Sequence, residues 1–316
     1  MRAARNGAHT EIINSAKKDI GGLDMKPVVV DLFCGIGGFS EGAKLAGLDV
    51  VLAIDCWAEA LKVHAANHPD TRHELITFGG TVTPQRVAEL IRSVVGERPY
   101  HLHGSPPCQE LSTANPNGDP LKGLVLVDWF LDLVKELKPA TWSMEQVKPV
   151  IKYLPNDTYY QTLNAADFGV PQTRDRVYAG YGWAVNKIQK RVSVIEALPL
   201  LSAEADGMNI FLNTVGASQS IGKRSLSNER SIDEPAQTIK NTTPTLRTIN
   251  PEVKKLRSLT LEECLVIQGF SSDYDLSTAR LKRDKWTMIG NAVCPPVAAA
   301  VLNGILKPVE SLKHWL

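Results

Sequence analysis

Val28-Val29-Val30-Asp31-Leu32-Phe33-Cys34-Gly35-Ile36-Gly37-Gly38 sets the architecture of this chain. The apolar run reads as a strand, the glycines as a tight turn, and Phe39 to Ala46 as a helix ended by Gly47. Glycines at such a turn let the backbone come close to a ligand, at a helix start where unpaired N–H groups collect. The spacing is not the GxGxxG of dinucleotide-binding proteins, since no glycine follows Gly38 at the required offset.

Working outward, a second strand from Asp49 to Ile54 ends in Asp55. An acid at the tip of the second strand either accepts hydrogen bonds from a ribose diol or caps the helix beginning near Trp57, and both readings stand. Pro84 to Val95 has apolar residues at helical spacing. Tyr100 to His103 then forms a short strand leading into Gly104-Ser105-Pro106-Pro107-Cys108-Gln109. Each proline fixes its own φ and pushes the preceding residue toward extended geometry, so Cys108 follows a stiff support. By itself the hexapeptide is equally a turn beside a buried cysteine. After a polar loop from Thr113 to Pro120, Leu124 to Leu137 reads as a helix, and Ala140 to Met144 as a strand delivering Glu145. Strands alternating with helices give a parallel sheet, with Phe33, Asp55, Cys108 and Glu145 expected on its carboxyl edge.

Further on, Gln172, Arg174 and Arg176 alternate and are expected on one face of a strand, as a solvated face or a clustered anion or carbonyl site. From Trp183 to Arg257 the strand-helix rhythm stops and Lys and Arg outnumber Asp and Glu, which suits a surface that meets phosphates. Regularity returns with a capping box, Thr260 with Glu263, and a helix ended by Gly269. A loop carrying Gly290-Asn291-Ala292-Val293 and a helix from Pro296 to Leu306 follow.

The 316 residues, 43% apolar and 22% charged with net charge +1, describe an ordinary globular protein and select no partner. Five scattered cysteines without a CxxC pair argue against a disulfide framework or a zinc knuckle and fit a reducing cytoplasm. No membrane-spanning stretch is expected. The boundaries divide the chain into a polar tail (1–26), a strand-helix domain (27–182), a basic insertion (183–257) and a C-terminal segment (258–316).

Asp31-Leu32-Phe33-Cys34-Gly35-Ile36-Gly37-Gly38-Phe39, Pro106-Pro107-Cys108-Gln109, Met144-Glu145-Gln146-Val147, Gln172-Thr173-Arg174-Asp175-Arg176 and Gly290-Asn291-Ala292-Val293 stand in an order that closely resembles the DNA (cytosine-5)-methyltransferases. The resemblance runs from Val28 to Leu306. It implies a Rossmann-like S-adenosylmethionine-dependent methyltransferase sheet with a small, mostly irregular or β target-recognition domain. By the same resemblance Phe33, Gly35, Ile36, Gly38, Asp55, Pro107, Leu126, Asn291 and Val293 would hold S-adenosylmethionine. Cys108 would be the nucleophile, Glu145 would meet the cytosine amidine edge, and Arg174 and Arg176 would orient the base. Double-stranded DNA would be the partner, touched by Gln109, Ser112, Lys223, Arg224 and Arg230, with a cognate restriction endonuclease in the host and the enzyme a monomer.

Three departures stand out. Gln146 replaces the family's usual asparagine, Gly79-Gly80-Thr81 stands where a carboxylate commonly meets the adenine amine, and Ser105 occupies a position where glycine is common. Three rival readings are weaker. A tRNA cytosine-5 methyltransferase lacks support because the Cys-Phe-Thr segment of that subgroup is absent. A silent DNA-binding relative would require loss of a reactive group, and all four are present. A nicotinamide-dependent dehydrogenase leaves Pro-Pro-Cys unexplained.

Overall fold

The computed structural model describes residues 26–107, 109–112, 115, 117–186, 190–201, 210–213, 229–240, 243–249 and 253–306. The tail call (1–26, but for residue 26) and the roles expected of Cys108, Lys223 and Arg224 fall outside the described residues.

The strands β1 (Val28–Leu32), β2 (Val50–Asp55), β3 (Arg72–Leu75), β4 (Tyr100–Gly104) and β5 (Thr141–Gln146) are mutually parallel. With β6 (Tyr159–Asn164) and β8 (Asp175–Tyr181) they form one seven-stranded sheet of order β3-β2-β1-β4-β5-β8-β6, in which β8 runs antiparallel to both neighbours. This is a mixed α/β sheet of the Rossmann-like kind. Every residue of β1 is buried because the strand lies inside the sheet with both faces covered. Alternation assigns its side chains: Val28, Val30 and Leu32 pack with Phe130 and Leu133, whereas Val29 packs on the opposite face with Phe39, Val301 and Leu302.

Among the described residues the α-helices are α1 (Gly38–Leu45), α2 (Ala58–Asn67), α3 (Pro84–Val95), α4 (Pro120–Leu137), α5 (Val194–Ala197), α6 (Leu261–Gln268), α7 (Lys282–Asn291) and α8 (Pro295–Leu306). The C-terminal α8 crosses α1 at glycine distance: a Cβ on Gly42 would lie 2.7 Å from the Pro295 carbonyl oxygen. Lys282–Ile305 is long and apolar enough, by length and composition alone, to cross a bilayer. It is broken at Ala292-Val293-Cys294, and its buried members belong to the protein core.

A four-stranded antiparallel sheet of order β10-β9-β12-β13 lies within the region of basic excess, built from β9 (Ile210–Asn213), β10 (Glu229–Ser231), β12 (Thr245–Ile249) and β13 (Val253–Ser258). Its Leu212 and Leu246 share a core cluster with Leu265 and Ile289. The region is stitched to the main body by β11 (Ala236–Gln237), which pairs in parallel with β7 (Gln172–Thr173).

Some element boundaries differ from the sequence expectation. Helix α4 starts at Pro120, inside the expected polar loop, because Asp119 accepts from the Leu121 N–H (3.0 Å) and proline suits the first helical turn. Helix α7 falls where a loop was expected; its four charged leading residues mask a buried face of Trp286, Met288 and Ile289. The expected single strand through Gln172, Arg174 and Arg176 is interrupted at Arg174, between β7 and β8.

Candidate active site

The carboxyl ends of β1, β2, β4 and β5 open into one cavity of about 970 Å³. Its first half is built around the glycine turn. Phe33, at the tip of β1, has φ 58, in the left-handed region. Gly35 follows at φ 53, and a Cβ there would meet nothing within 4 Å, so the turn faces open space. Asp55 accepts from the Gly35 N–H (2.8 Å) and from the Trp57 N–H (2.7 Å), so it braces the turn and the entry to α2 together. A carboxylate has lone pairs for further donors beyond these two. Trp57, Ile36, Met288, Asn291 and Val293 complete this half.

The second half gathers polar side chains from distant segments. Glu145, 8% exposed, is ion-paired with Arg176, with Oε1 3.0 Å from Nε. Arg174, 4% exposed, donates to the carbonyls of Ile239 (3.4 Å) and Ala292 (3.3 Å). Gln172 is fully buried: its amide donates to Gln268 Oε1 (2.8 Å) and accepts from the Ile239 N–H (2.7 Å). Gln268 in turn donates to the Ala292 carbonyl (2.6 Å). The solvated-face reading of the Gln-Arg-Arg alternation is therefore wrong. Gln172 and Arg174 are buried and both bond the main chain at Ile239, half-buried Arg176 pairs with Glu145, and only the arginines reach the cavity.

Pro106 and Pro107 line the cavity, as do Gln109 and Ser112 beyond Cys108. The substituted Gln146 supports this turn: its Nε2 donates to the Pro106 carbonyl (2.7 Å) while its Oε1 accepts from the Val147 N–H (3.0 Å), with the side chain fully buried.

Among the expected cofactor residues, Phe33, Gly35, Ile36, Asp55, Pro107, Asn291 and Val293 line the cavity. Leu126 does not: it packs with the α3–α4 core, 3.6 Å from where a Gly79 Cβ would stand. Gly38 is absent from the lining because its backbone abuts the Val293 carbonyl, which explains why only glycine fits. Gly79 and Gly80 form a positive-φ turn bridged to Val82 and bring no carboxylate. Arg230 is off the cavity and pairs with Glu234 (3.3 Å). The sequence reading missed Trp57, Lys148, Asn164, Asp175, Thr238, Ile239, Lys240 and Met288. Trp57, an aromatic two residues past the strand-tip acid, carried a signal; Thr238 to Lys240 carried none, lying in a segment without periodicity.

The described lining cations (Lys148, Arg174, Arg176, Lys240) gather at one end, where Glu145 and Asp175 pair with Arg176 and Lys148, whereas Asp31 and Asp55 lie at the cofactor end without a lining cation beside them. Burial lifts the Asp31 carboxyl to about 7, with Asp55 adding to the rise and the Ser40 hydroxyl (2.7 Å) opposing it. Burial likewise pushes the Cys294 thiol up to about 11 against the pull of Arg174 and Arg176, and raises Cys34, Cys56 and Cys264. All four described cysteines are thus held as thiols near neutrality.

The fold is that of a Rossmann-like methyltransferase. It resembles a methyltransferase of Entamoeba histolytica (EhMeth; TM-score 0.60, 20% identity, 90% of this chain and all of that one). A mutant DNMT2 of Spodoptera frugiperda is also similar (TM-score 0.58, 18% identity, 89% of this chain and all of that one). Similar sequences include the type II methyltransferases M.HindV of Haemophilus influenzae (27% identity, 90% of this chain, 99% of the relative) and M.MthTI of Methanothermobacter thermautotrophicus (28% identity, 90% and 98%). The C-5 cytosine-specific DNA methylase family matches residues 28–196 and 182–307. The chain belongs to that family and is a DNA (cytosine-5)-methyltransferase.

Proposed function

We propose that the protein methylates carbon 5 of a cytosine swung out of duplex DNA, through a covalent bond from Cys108 to carbon 6. The supporting observation is the Glu145–Arg176 pair beside the turn carrying Cys108: an acid and a cation held 3.0 Å apart at the cavity wall. The family motif Pro106-Pro107-Cys108-Gln109 makes Cys108 the nucleophile, and burial raises the thiols of Cys34, Cys56, Cys264 and Cys294, which disfavours them in that role.

Carbon 5 of cytosine is a poor nucleophile until a thiolate adds to carbon 6. Cys108 forms that bond while Glu145 supplies a proton at ring nitrogen 3 and accepts from the exocyclic amine, and Arg176 donates to the carbonyl oxygen at position 2. Arg174 acts one layer back, bonded to the carbonyls of Ile239 and Ala292. Once carbon 5 carries the methyl group, a base takes the proton still bound there, nitrogen 3 returns its proton to Glu145, and the carbon 6–sulfur bond breaks to release the thiolate. Swinging the base out costs a few kcal/mol, offset by contacts from Gln109, Ser112 and the basic region that includes Lys223, Arg224 and Arg230.

The cofactor is S-adenosylmethionine, which supplies the transferable methyl group. The cavity suits it: an open glycine turn, Phe33 and Trp57 as apolar walls, and Asp55 with spare lone pairs for a diol. The names of the relatives place them among type II modification enzymes, and a cognate endonuclease in the host follows as part of this reading. The test is incubation with duplex DNA containing 5-fluorocytosine and the cofactor. A protein–DNA adduct that survives denaturation, and vanishes in Cys108→Ser, is expected; no adduct with the unaltered protein rejects the mechanism.

A further inference from the structure

Ser105 has no part in the chemistry above, yet it joins the two halves of the site. Its hydroxyl donates to the Phe33 carbonyl (3.0 Å) and its N–H to the Leu32 carbonyl (3.2 Å). The Phe33 backbone sits at φ 58, a strained conformation for an aromatic residue that persists only where neighbours hold it. The Phe33 ring is itself braced, 4.6 Å from Phe78, which lies 4.6 Å from Trp129. On the other side Ser105 leads directly into Pro106, whose carbonyl is fixed by Gln146. Gly104 before it is packed so closely on the Phe130 ring that a Cβ would collide. The cofactor wall and the cysteine turn are each held internally, and the Ser105 hydroxyl is a bond between them that a glycine could not make.

We propose that Ser105 is a positioning residue that sets the separation between the cofactor wall at Phe33 and the turn carrying Cys108; this rests on the function proposed above. Two measurements separate the halves. With no cofactor present, thiolate addition to carbon 6 lets carbon 5 take a proton from water and release its own hydrogen before the thiolate departs. Tritium release from 5-tritiated cytosine in DNA therefore reads the cysteine turn alone, whereas single-turnover methyl transfer reads turn and wall together. Ser105→Ala should slow methyl transfer about five- to tenfold, the worth of one net hydrogen bond. Tritium release and the dissociation constant of S-adenosylhomocysteine should change less than about twofold by the same reasoning. Ser105→Thr, which keeps the hydroxyl, should restore transfer, and Ser105→Gly repeats the comparison should the alanine variant melt early. Unchanged methyl transfer, or an equal fall in transfer and tritium release, overturns the proposal. Absence of tritium release from the unaltered protein instead overturns the covalent mechanism, and this inference with it.

Discussion

The two halves of the cavity are made differently. The cofactor half is mainly backbone: a glycine turn at the end of a central strand, braced by one carboxylate that accepts from two N–H groups. The other half is side chains, with Glu145 from β5, Arg176 from β8, Arg174 between strands, and Thr238 and Lys240 from the chain just beyond β11. A backbone site is fixed once the strand and turn form, because its donors come with the chain. A side-chain site exists only after segments far apart in sequence have been packed together, and it pays for that with buried polar groups that each need a partner.

The contrast can be broken from either side. Arg176→Ala removes the partner of Glu145 and should lower kcat about a hundred- to a thousandfold, as loss of a preorganised donor does, with binding of S-adenosylhomocysteine unchanged by calorimetry. Gln146→Leu leaves the Pro106 carbonyl and the Val147 N–H without their side-chain partner; a stability loss of about 1–3 kcal/mol in urea melts is expected, with a slower enzyme. Gly42→Ala pushes α8 away from α1 behind the glycine turn. Overpacking of this kind costs about 1–3 kcal/mol, and weaker cofactor binding should accompany a lower melting temperature.

A pH series sharpens the comparison. Burial lifts Asp31 from 3.8 to about 7, so between those values the folded protein retains a proton that the unfolded chain has released. Stability from this group therefore falls as pH rises through the window. Asp31→Asn should melt above the parent by a margin that grows from about pH 4 to about pH 7 and then levels, reaching at most a few kcal/mol. His101, pushed down to about 3 by burial, acts in the opposite sense, and taking the difference between the two proteins cancels it. The smallest effect is expected from replacing Lys223 and Arg224 together. DNA binding should weaken modestly and the slope of log K against log salt should flatten by about 1 to 2.

This division also explains what the sequence made legible. The strand, turn and helix from Val28 to Leu45 are local, and residues in one short run carry the whole signal. The Thr260–Glu263 capping box was readable for the same reason, as both bonds lie within four residues. Lys148 and Lys240 were invisible because their place depends on folds of the chain remote from them. Gln172 read as a possible ligand group, and its partners Gln268 and Ile239, 96 and 67 residues away, could not be inferred from alternation. Helix α7 was hidden by the charges at its start, which oppose any apolar period.

The buried glutamine pair bears on swapping sequence specificity between enzymes. Gln172 and Gln268 grip the main chain at Ile239 and Ala292, and the β11–β7 pairing is reinforced by the Thr173 and Thr238 hydroxyls, which donate to the Ala236 and Thr173 carbonyls. A transplanted insertion would have to keep that main-chain dock and also supply apolar side chains where Leu212 and Leu246 meet Leu265 and Ile289. Junctions cut outside Ala236 to Lys240 should yield folded hybrids, whereas a cut within that run takes the Ile239 N–H away from the buried Gln172 side-chain carbonyl and undoes the β11–β7 pairing.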